Sequence, residues 1–267
     1  MTKTVLVTGG TGTLGKLVTP LLLMRAGVRV RVLSRTARTG TDGIEYVAGD
    51  LQTGEGVAAA VAGVDTILHL AGTQKGDGDK ARALVTAAQA AGVTPHLVYI
   101  SVVGAERVVC ESALDRAMLG YMASKREAEI VVQESGLPWT TLRATQFHEL
   151  LFTMVRALGK LPIAPAFDFR FQPIAAAEVA AELVRLTLGE PAGLVPELAG
   201  PKVYTMKEVL RGYQDAIGKR RPILSLKAPG KAAKIYKAGG NLNLDRAVGE
   251  QTWEEFLAEH LGASVRA

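Results

Sequence analysis

The stretch that decides the fold is TGGTGTLG, Thr8 to Gly15. It follows a short apolar run, VLVTG (Val5 to Gly9), and leads into Thr13 to Ala26, where apolar residues recur at helical spacing. It reads both as Gly9-x-x-Gly12-x-x-Gly15 and as Gly10-x-Gly12-x-x-Gly15. Either way, missing Cβ atoms permit a tight turn and let the backbone approach a pyrophosphate. The helix that opens there offers unpaired N–H groups and a partial positive charge to an anion. In this strand-to-helix context the loop predicts a dinucleotide site formed by Gly9, Thr11, Gly12, Thr13, Leu14 and Gly15.

Beyond the loop, strands and helices alternate. VRVRVL (Val28 to Leu33) has period two, and IEYVAGD (Ile44 to Asp50) is a further short strand before the Ala/Val-rich Gly56 to Ala62. TILHLAG (Thr66 to Gly72), HLVYIS (His96 to Ser101) and WTTLRA (Trp139 to Ala144) complete six strands, separated by helices over Asp79 to Ala91 and Tyr121 to Ser135. This pattern predicts a Rossmann-type, doubly wound parallel α/β sheet with a small C-terminal substrate-binding cap. Ligands in such sheets lie beyond the C-terminal strand ends, here near Gly9, Ser34, Asp50, Ala71, Ser101 and Arg143. The later segments are less regular: a helix over Phe147 to Leu158, a Pro- and Phe-rich stretch to Ile174, a helix over Ala177 to Leu188, and helix starts at Thr205 and Thr252, each with Glu three residues on. No linker divides the chain. It reads as one NAD(P)-binding domain over 1–267, with a core of about 1–146 plus 173–190 and a cap of about 147–172 and 191–267.

Charge along the first strands speaks to cofactor choice. An NAD site places Asp or Glu about 20 residues past the glycines to accept from the ribose 2′-OH. Here the first 41 residues hold seven Lys/Arg and no acidic residue, and the second strand ends at Ser34-Arg35. A guanidinium there suits a 2′-phosphate, so NADP(H) is expected over NAD(H). Asp50 reads as an adenine contact with Leu51 covering the ring, or as the cap of the next helix. Ala71 and Gly72 in LAGT read as a small-residue strand end against which the cofactor lies.

Bulk properties narrow the class. The 267 residues are 48% hydrophobic but only 5% aromatic, which suits helices stacked on a buried sheet. One cysteine, Cys110, excludes an internal disulfide and fits a reducing compartment. No apolar run reaches the length of a membrane span, and the N-terminus lacks a signal-peptide pattern, so a cytoplasmic location is expected. The net charge of +5 is spread along the chain, and its densest cluster, Lys219 to Arg221, adjoins Pro222 at a helix end, so neither a nucleic-acid nor a membrane partner is expected. The four histidines are scattered and predict no metal site. The sequence leaves monomer and homodimer both open.

TGGTGTLG, GDL, LAG, YISVVG, YMASK and LRATQFHE, in this order, resemble the short-chain dehydrogenase/reductase superfamily, most closely its atypical, NmrA-like NAD(P)H-binding branch. FQPI, the helix around Glu178 and the terminal TWEEFLAEH extend that resemblance over most of the chain. It implies that Tyr121 of YMASK is the proton donor and Lys125 its catalytic lysine, which also binds the nicotinamide ribose. The chemistry is sound: a phenol ordinarily titrates near pH 10, and an adjacent ammonium favours the phenolate. Tyr121 and Lys125 are four apart and share one helix face.

The family usually carries Ser or Thr at the end of strand five. Here that place falls on Val102 or Val103, with Ser101 one or two residues early. Gln146 and His148 are possible replacement donors, although a packed or capping histidine reads equally well. The segment Gly104 to Gly120 reads as long and irregular, a lid or a displacement of the Tyr–Lys helix. Substrate-side residues are expected among Val103, Gln146, Phe147, His148, Phe169 and Gln172, with core packing the competing reading for the phenylalanines. The function implied is NADPH-dependent reduction of a small carbonyl or quinone-type compound by hydride transfer. The alternatives are an NADP(H)-sensing regulator without turnover and an epimerase- or lyase-type enzyme that retains its cofactor.

Overall fold

A computed structural model describes residues 2–40, 43–108, 113–228 and 230–265. Two compact units emerge. The first comprises residues 1–101, 120–143 and 179–196, and the second 102–119, 144–178 and 197–267.

The first unit is built on a seven-stranded parallel sheet. Its strands are β1 (Lys3–Thr8), β2 (Val28–Ser34), β3 (Ile44–Ala48), β4 (Thr66–His69), β5 (His96–Val102), β6 (Trp139–Ala144) and β9 (Gly193–Leu194), in the order β3-β2-β1-β4-β5-β6-β9. The order reverses between β1 and β4, whose register pairs Val5 with Thr66 and Thr8 with His69. That reversal is the switch point at which doubly wound sheets take their ligands. β1 is buried from Val5 through Thr8 without alternation, as expected of a parallel strand covered on both faces. β2 alternates because Arg29 and Arg31 point outward; Arg31 Nη1 donates to the carbonyls of Ala60 (3.0 Å) and Ala62 (2.7 Å). The helices of this unit are α1 (Thr13–Leu23), α2 (Val57–Val61), α3 (Asp77–Ala90), most of α4 (Ala113–Gln133) and most of α6 (Ala176–Leu188). Leu6, Ile67, Leu97 and Tyr99 of the sheet meet Leu84, Ala88, Ala128 and Val132 of α3 and α4 in one core.

The second unit contains α5 (His148–Leu158), β7 (Ala164–Phe167), β8 (Arg170–Phe171), β10 (Tyr204–Thr205), α7 (Met206–Ala216), β11 (Ile223–Leu226), α8 (Gly230–Lys237) and α9 (Trp253–Val265). β8 and β10 pair antiparallel, and β7 and β11 pair parallel. The expected capping box starts α7: Thr205 Oγ1 accepts from the Glu208 amide at 3.2 Å, while the Glu208 carboxylate accepts from the Thr205 amide at 2.7 Å. Thr252 and Glu255 make the same reciprocal pair at α9. Trp253 is fully buried and donates from Nε1 to the Val209 carbonyl at 3.2 Å, tying α9 to α7.

One sequence expectation needs correction, and one strand escaped the sequence reading. Helix α4 begins at Ala113, eight residues before Tyr121, and Ala105–Arg107 form a 3-10 turn, so most of Gly104 to Gly120 is regular. Residues 109–112, including Cys110, lie outside the described residues. The two-residue strand β9 was not legible, because it is too short to show a period.

Candidate functional site

The glycine loop sits at the switch point of the first unit. Gly9 has φ +71°, and a Cβ there would stand 2.8 Å from the Ala71 amide nitrogen, so the β1 and β4 strand ends can approach this closely only at a glycine. A Cβ on Gly15 would lie 2.3 Å from the Gly9 carbonyl oxygen, so the first turn of α1 rests directly on the loop. Gly12 is the N-cap of α1 and supplies no side-chain cap, and the first turn holds no acidic residue. The opening amides of α1 therefore have neither a side-chain acceptor nor a competing carboxylate, while Thr11, Gly12 and Thr13 are exposed. This cradle fits a dinucleotide pyrophosphate.

Along the same sheet edge, Ser34 closes a turn with Thr36: its hydroxyl donates to the Thr36 carbonyl at 2.9 Å. That turn leaves Arg35 exposed, and Arg38 lies over the Tyr46 ring at 5.9 Å. Asp50 Oδ1 accepts from the Gln52 amide at 2.8 Å. It does not cap α2, whose N-cap is Gly56 in the left-handed region, and the capping alternative falls. Leu51 is packed into the core. Ala71 is half-buried and Gly72 exposed; a Cβ on Gly72 would come within 2.7 Å of Lys125 Nζ, so this strand end lies directly against the lysine.

Tyr121 and Lys125 meet as their spacing requires, but in unequal settings. Tyr121 is 41% exposed, whereas Lys125 is 4% exposed. The Lys125 ammonium lies 5.7 Å from the Tyr121 ring centroid and 5.1 Å from that of Tyr99. It donates to the Ile100 carbonyl (3.3 Å) and pairs with Asp77 Oδ2 (3.3 Å). Burial pushes the Lys125 pKa down, and Asp77 opposes that shift. Asp77, fully buried at the start of α3, also pairs through Oδ1 with Lys80 at 3.1 Å and accepts from the Thr73 amide at 2.8 Å. Its own amide donates to Ser124 Oγ at 2.9 Å. Behind them His69 stacks on Tyr99 with centroids 5.4 Å apart, its Nδ1 2.7 Å from Thr8 Oγ1. Burial lowers its pKa to about 3, so this histidine is neutral at physiological pH.

One turn past Lys125, the buried Glu129 receives a bidentate pair from Arg143 at 2.7 and 2.8 Å and a third contact from Arg126 at 2.9 Å. Ser101 is buried at the end of β5, near enough to Glu129 to help lower its pKa, but its hydroxyl makes no hydrogen bond among the described residues. Arg143, which the strand pattern placed at a candidate ligand edge, is thus spent inside the unit. The lysine–aspartate–lysine cluster is what sequence reading missed. Its only trace is DGDK, Asp77 to Lys80, charged residues at helix i, i+3 spacing that begin four positions after Thr73 of LAGT.

Within the second unit, several substrate-side expectations are overturned. His148 is fully buried, stacked on Phe256 at 5.0 Å and Trp253 at 5.9 Å, with Nε2 3.0 Å from the Gln251 carbonyl; it is a packing residue. Gln172 is buried and spends its amide on the carbonyls of Gly200 (2.9 Å) and Asn243 (3.0 Å) and its Oε1 on the Asn243 amide. Gln146 donates to the Asn241 carbonyl and accepts from the Gln172 amide. These two glutamines hold loops together, because the irregular backbone between short strands must be satisfied by side chains. Val103 is also buried. Phe147 and Phe169 are half-buried, and Phe169 lies between Phe167 (5.8 Å) and Tyr236 (5.0 Å). Among the described residues there is no group of three or more potential metal ligands, and no helix is long and apolar enough to cross a membrane.

The sequence profile of the NAD(P)H-binding family matches residues 9–187. An NAD(P)H azoreductase from Xenophilus azovorans is 28% identical over 226 residues, spanning 82% of this chain and 75% of that protein. A (4-alkanoyl-5-oxo-2,5-dihydrofuran-3-yl)methyl phosphate reductase from Streptomyces griseus is 31% identical over 227 residues, spanning 80% of this chain and 74% of that protein. The crystal structure of an Escherichia coli NADPH-dependent quinone oxidoreductase complexed with NADPH shares the fold, with a TM-score of 0.76 at 20% identity over 96% of this chain and 99% of that one.

Proposed function

Because this chain belongs to the NAD(P)H-binding family, we propose that it is an NADPH-dependent oxidoreductase that reduces a small carbonyl or quinone-type substrate. The observation that carries this reading is the buried Lys125 ammonium beside the exposed ring of Tyr121, at the switch-point edge that also holds the glycine cradle. The reductase names of the two relatives favour it over a turnover-free sensor.

In this reading Gly9, Gly12 and Gly15, with the amides of Thr11, Thr13 and Leu14, hold the pyrophosphate. Ser34 and Arg35 take the 2′-phosphate, Asp50 the adenine, with Leu51 in the core behind it rather than over the ring, and Ala71 and Gly72 line the path to the nicotinamide end. A nicotinamide held there would supply the hydride. Tyr121 gives its phenolic proton to the substrate oxygen as the hydride adds to the conjugated system. Lys125 steadies the phenolate left behind and holds the ribose. Exposure of Tyr121 allows solvent to return the proton. Ser101 is buried and the next positions are Val102 and Val103, so β5 offers no exposed second donor to the substrate oxygen. That favours a quinone over a simple ketone, because a quinol oxygen, like any phenol, titrates near pH ~10 and needs less help than an alkoxide.

The test is a titration with NADPH and NADH, followed by a turnover panel of quinones and ketones. Preferential NADPH binding, quinone turnover, and loss of about 10²-fold or more in kcat for Tyr121→Phe with unchanged NADPH affinity are expected. Unchanged turnover in Tyr121→Phe would remove that residue from the chemistry.

A further inference from the structure

We propose that Asp77 and Lys80 are a buried positioning couple for the Tyr121–Lys125 pair, Asp77 fixing the Lys125 ammonium beneath Tyr121 and Lys80 fixing Asp77. The inference rests on the functional reading above for its effect on rate, but not for the couple itself.

The couple is argued from division of labour on one carboxylate. Asp77 Oδ1 is taken by Lys80 (3.1 Å) and the Thr73 amide (2.8 Å), which leaves Oδ2 to face Lys125 at 3.3 Å. Lys80 is itself anchored to the Thr73 hydroxyl. The Asp77 amide is bonded to Ser124 Oγ, one residue before Lys125, so α3 and α4 are locked at the same point. Asp77, Lys80 and Lys125 are all at most 5% exposed. Such a cluster is costly to bury unless each charge is paired and hydrogen-bonded, since removing ions from water costs several kcal/mol each.

The charges do not cancel. Two ammonium groups face one carboxylate, and the groups packed around them do not repair the balance. His69 on β4 is neutral, the Tyr99 phenol on β5 is kept protonated by burial, and Glu129 on α4 is engaged by Arg143 and Arg126. Among the described residues, the remaining ionisable group facing Lys125 is Tyr121. A surplus positive charge held there is complementary to the phenolate that forms when Tyr121 gives up its proton, the arrangement by which fixed charges lower a barrier. Asp77 tempers this surplus and favours the charged form of Lys125 against its burial, while Lys80 disfavours it.

The two partners therefore predict opposite shifts. The readout is the 13Cε resonance of Lys125 in lysine-labelled protein, assigned with Lys125→Met and titrated with pH. Asp77→Asn is expected to move the Lys125 midpoint to lower pH, and Lys80→Met to move it to higher pH. In the active protein the alkaline limb of kcat follows in the same two directions, and Asp77→Asn loses on the order of 10²-fold in kcat at neutral pH. A merely structural pair would lower the melting temperature without moving either midpoint, and that result overturns the proposal. If Asp77→Asn fails to fold, an unshifted or down-shifted midpoint in Lys80→Met overturns it alone. Should no substrate be turned over, the functional reading falls while the resonance titration still decides the couple.

Discussion

Gly15→Ala adds one methyl group, and the structure says where it would go. The new carbon would stand 2.3 Å from the Gly9 carbonyl oxygen, 2.4 Å from Gly10 Cα and 2.5 Å from the Gly10 carbonyl carbon. Carbon atoms in ordinary contact sit at about 3.5–4.0 Å, so loop and helix must part by roughly 1 Å. All three obstacles are backbone atoms, so no rotamer change relieves the clash. Overpacking of this kind costs about 1–3 kcal/mol, and each kcal/mol lowers the melting temperature of a chain this size by about 2–4 °C. The greater loss should be in cofactor affinity: a displacement of about 1 Å in a positioning element can cost on the order of 10²-fold. The control is Gly120→Ala, inside α4, where among the described residues nothing beyond the helix's own backbone and chain neighbours comes within 4 Å of the added carbon and the same methyl should stabilise by about 1 kcal/mol. Calorimetry and NADPH fluorescence titration on both variants decide the matter. If Gly15→Ala binds NADPH like the parent, the α1 amides are not what grips the pyrophosphate, and the reading of the loop is wrong.

Arg35→Ala should weaken NADPH by about 10-fold while leaving NADH nearly unchanged, since one charge-assisted pair to a 2′-phosphate is worth about 1.5–3 kcal/mol; equal losses for both cofactors would show that Arg35 does not read the phosphate. Glu129→Gln strands the buried Arg143 and should cost about 3–5 kcal/mol in urea unfolding; a loss under 1 kcal/mol would contradict the bidentate geometry. Arg143, with Arg126, holds the Glu129 pKa below its usual value despite burial. The pair's contribution is therefore present above the unfolded carboxyl pKa and is lost as pH falls through the folded one, so the deficit of Glu129→Gln against the parent should shrink in acid. Thr205→Ala removes the α7 cap and should cost about 1 kcal/mol, with Thr205→Ser restoring most of it.

The parts of this fold that sequence could disclose are those written locally. The β1 loop, the six longer strands and the Thr205 and Thr252 boxes each depend on residues within a few positions of one another, and each lies where its pattern puts it. What escaped depends on distant partners. Nothing near Gln146 or Gln172 announces that their amides serve the loop around Asn241 and Asn243, some 70–95 residues on. The aromatic stack that buries His148 comes from α9, a hundred residues away. The start of α4 was hidden because Ala113 to Gly120 shows no clear apolar period ahead of the charged face. At the candidate site, YMASK was visible as a pair, but the buried acid beneath it was not: Asp77 lies 48 positions before Lys125, and a charge on a helix reads as solvent-facing until something shows what covers it.

Tyr121, Lys125 and Glu129 occupy one helix at intervals of four. Their mutual distances are set by the peptide hydrogen-bond ladder of α4, not by any loop, so thermal motion of neighbouring segments cannot pull phenol and ammonium apart. The same arrangement makes the set vulnerable to changes in length. With 3.6 residues per turn, one residue inserted between Tyr121 and Lys125 would swing the lysine about 100° around the helix axis, off its carboxylate and out of the phenol's reach. Substitution can therefore adjust this centre gradually, whereas insertion or deletion within α4 can only dismantle it.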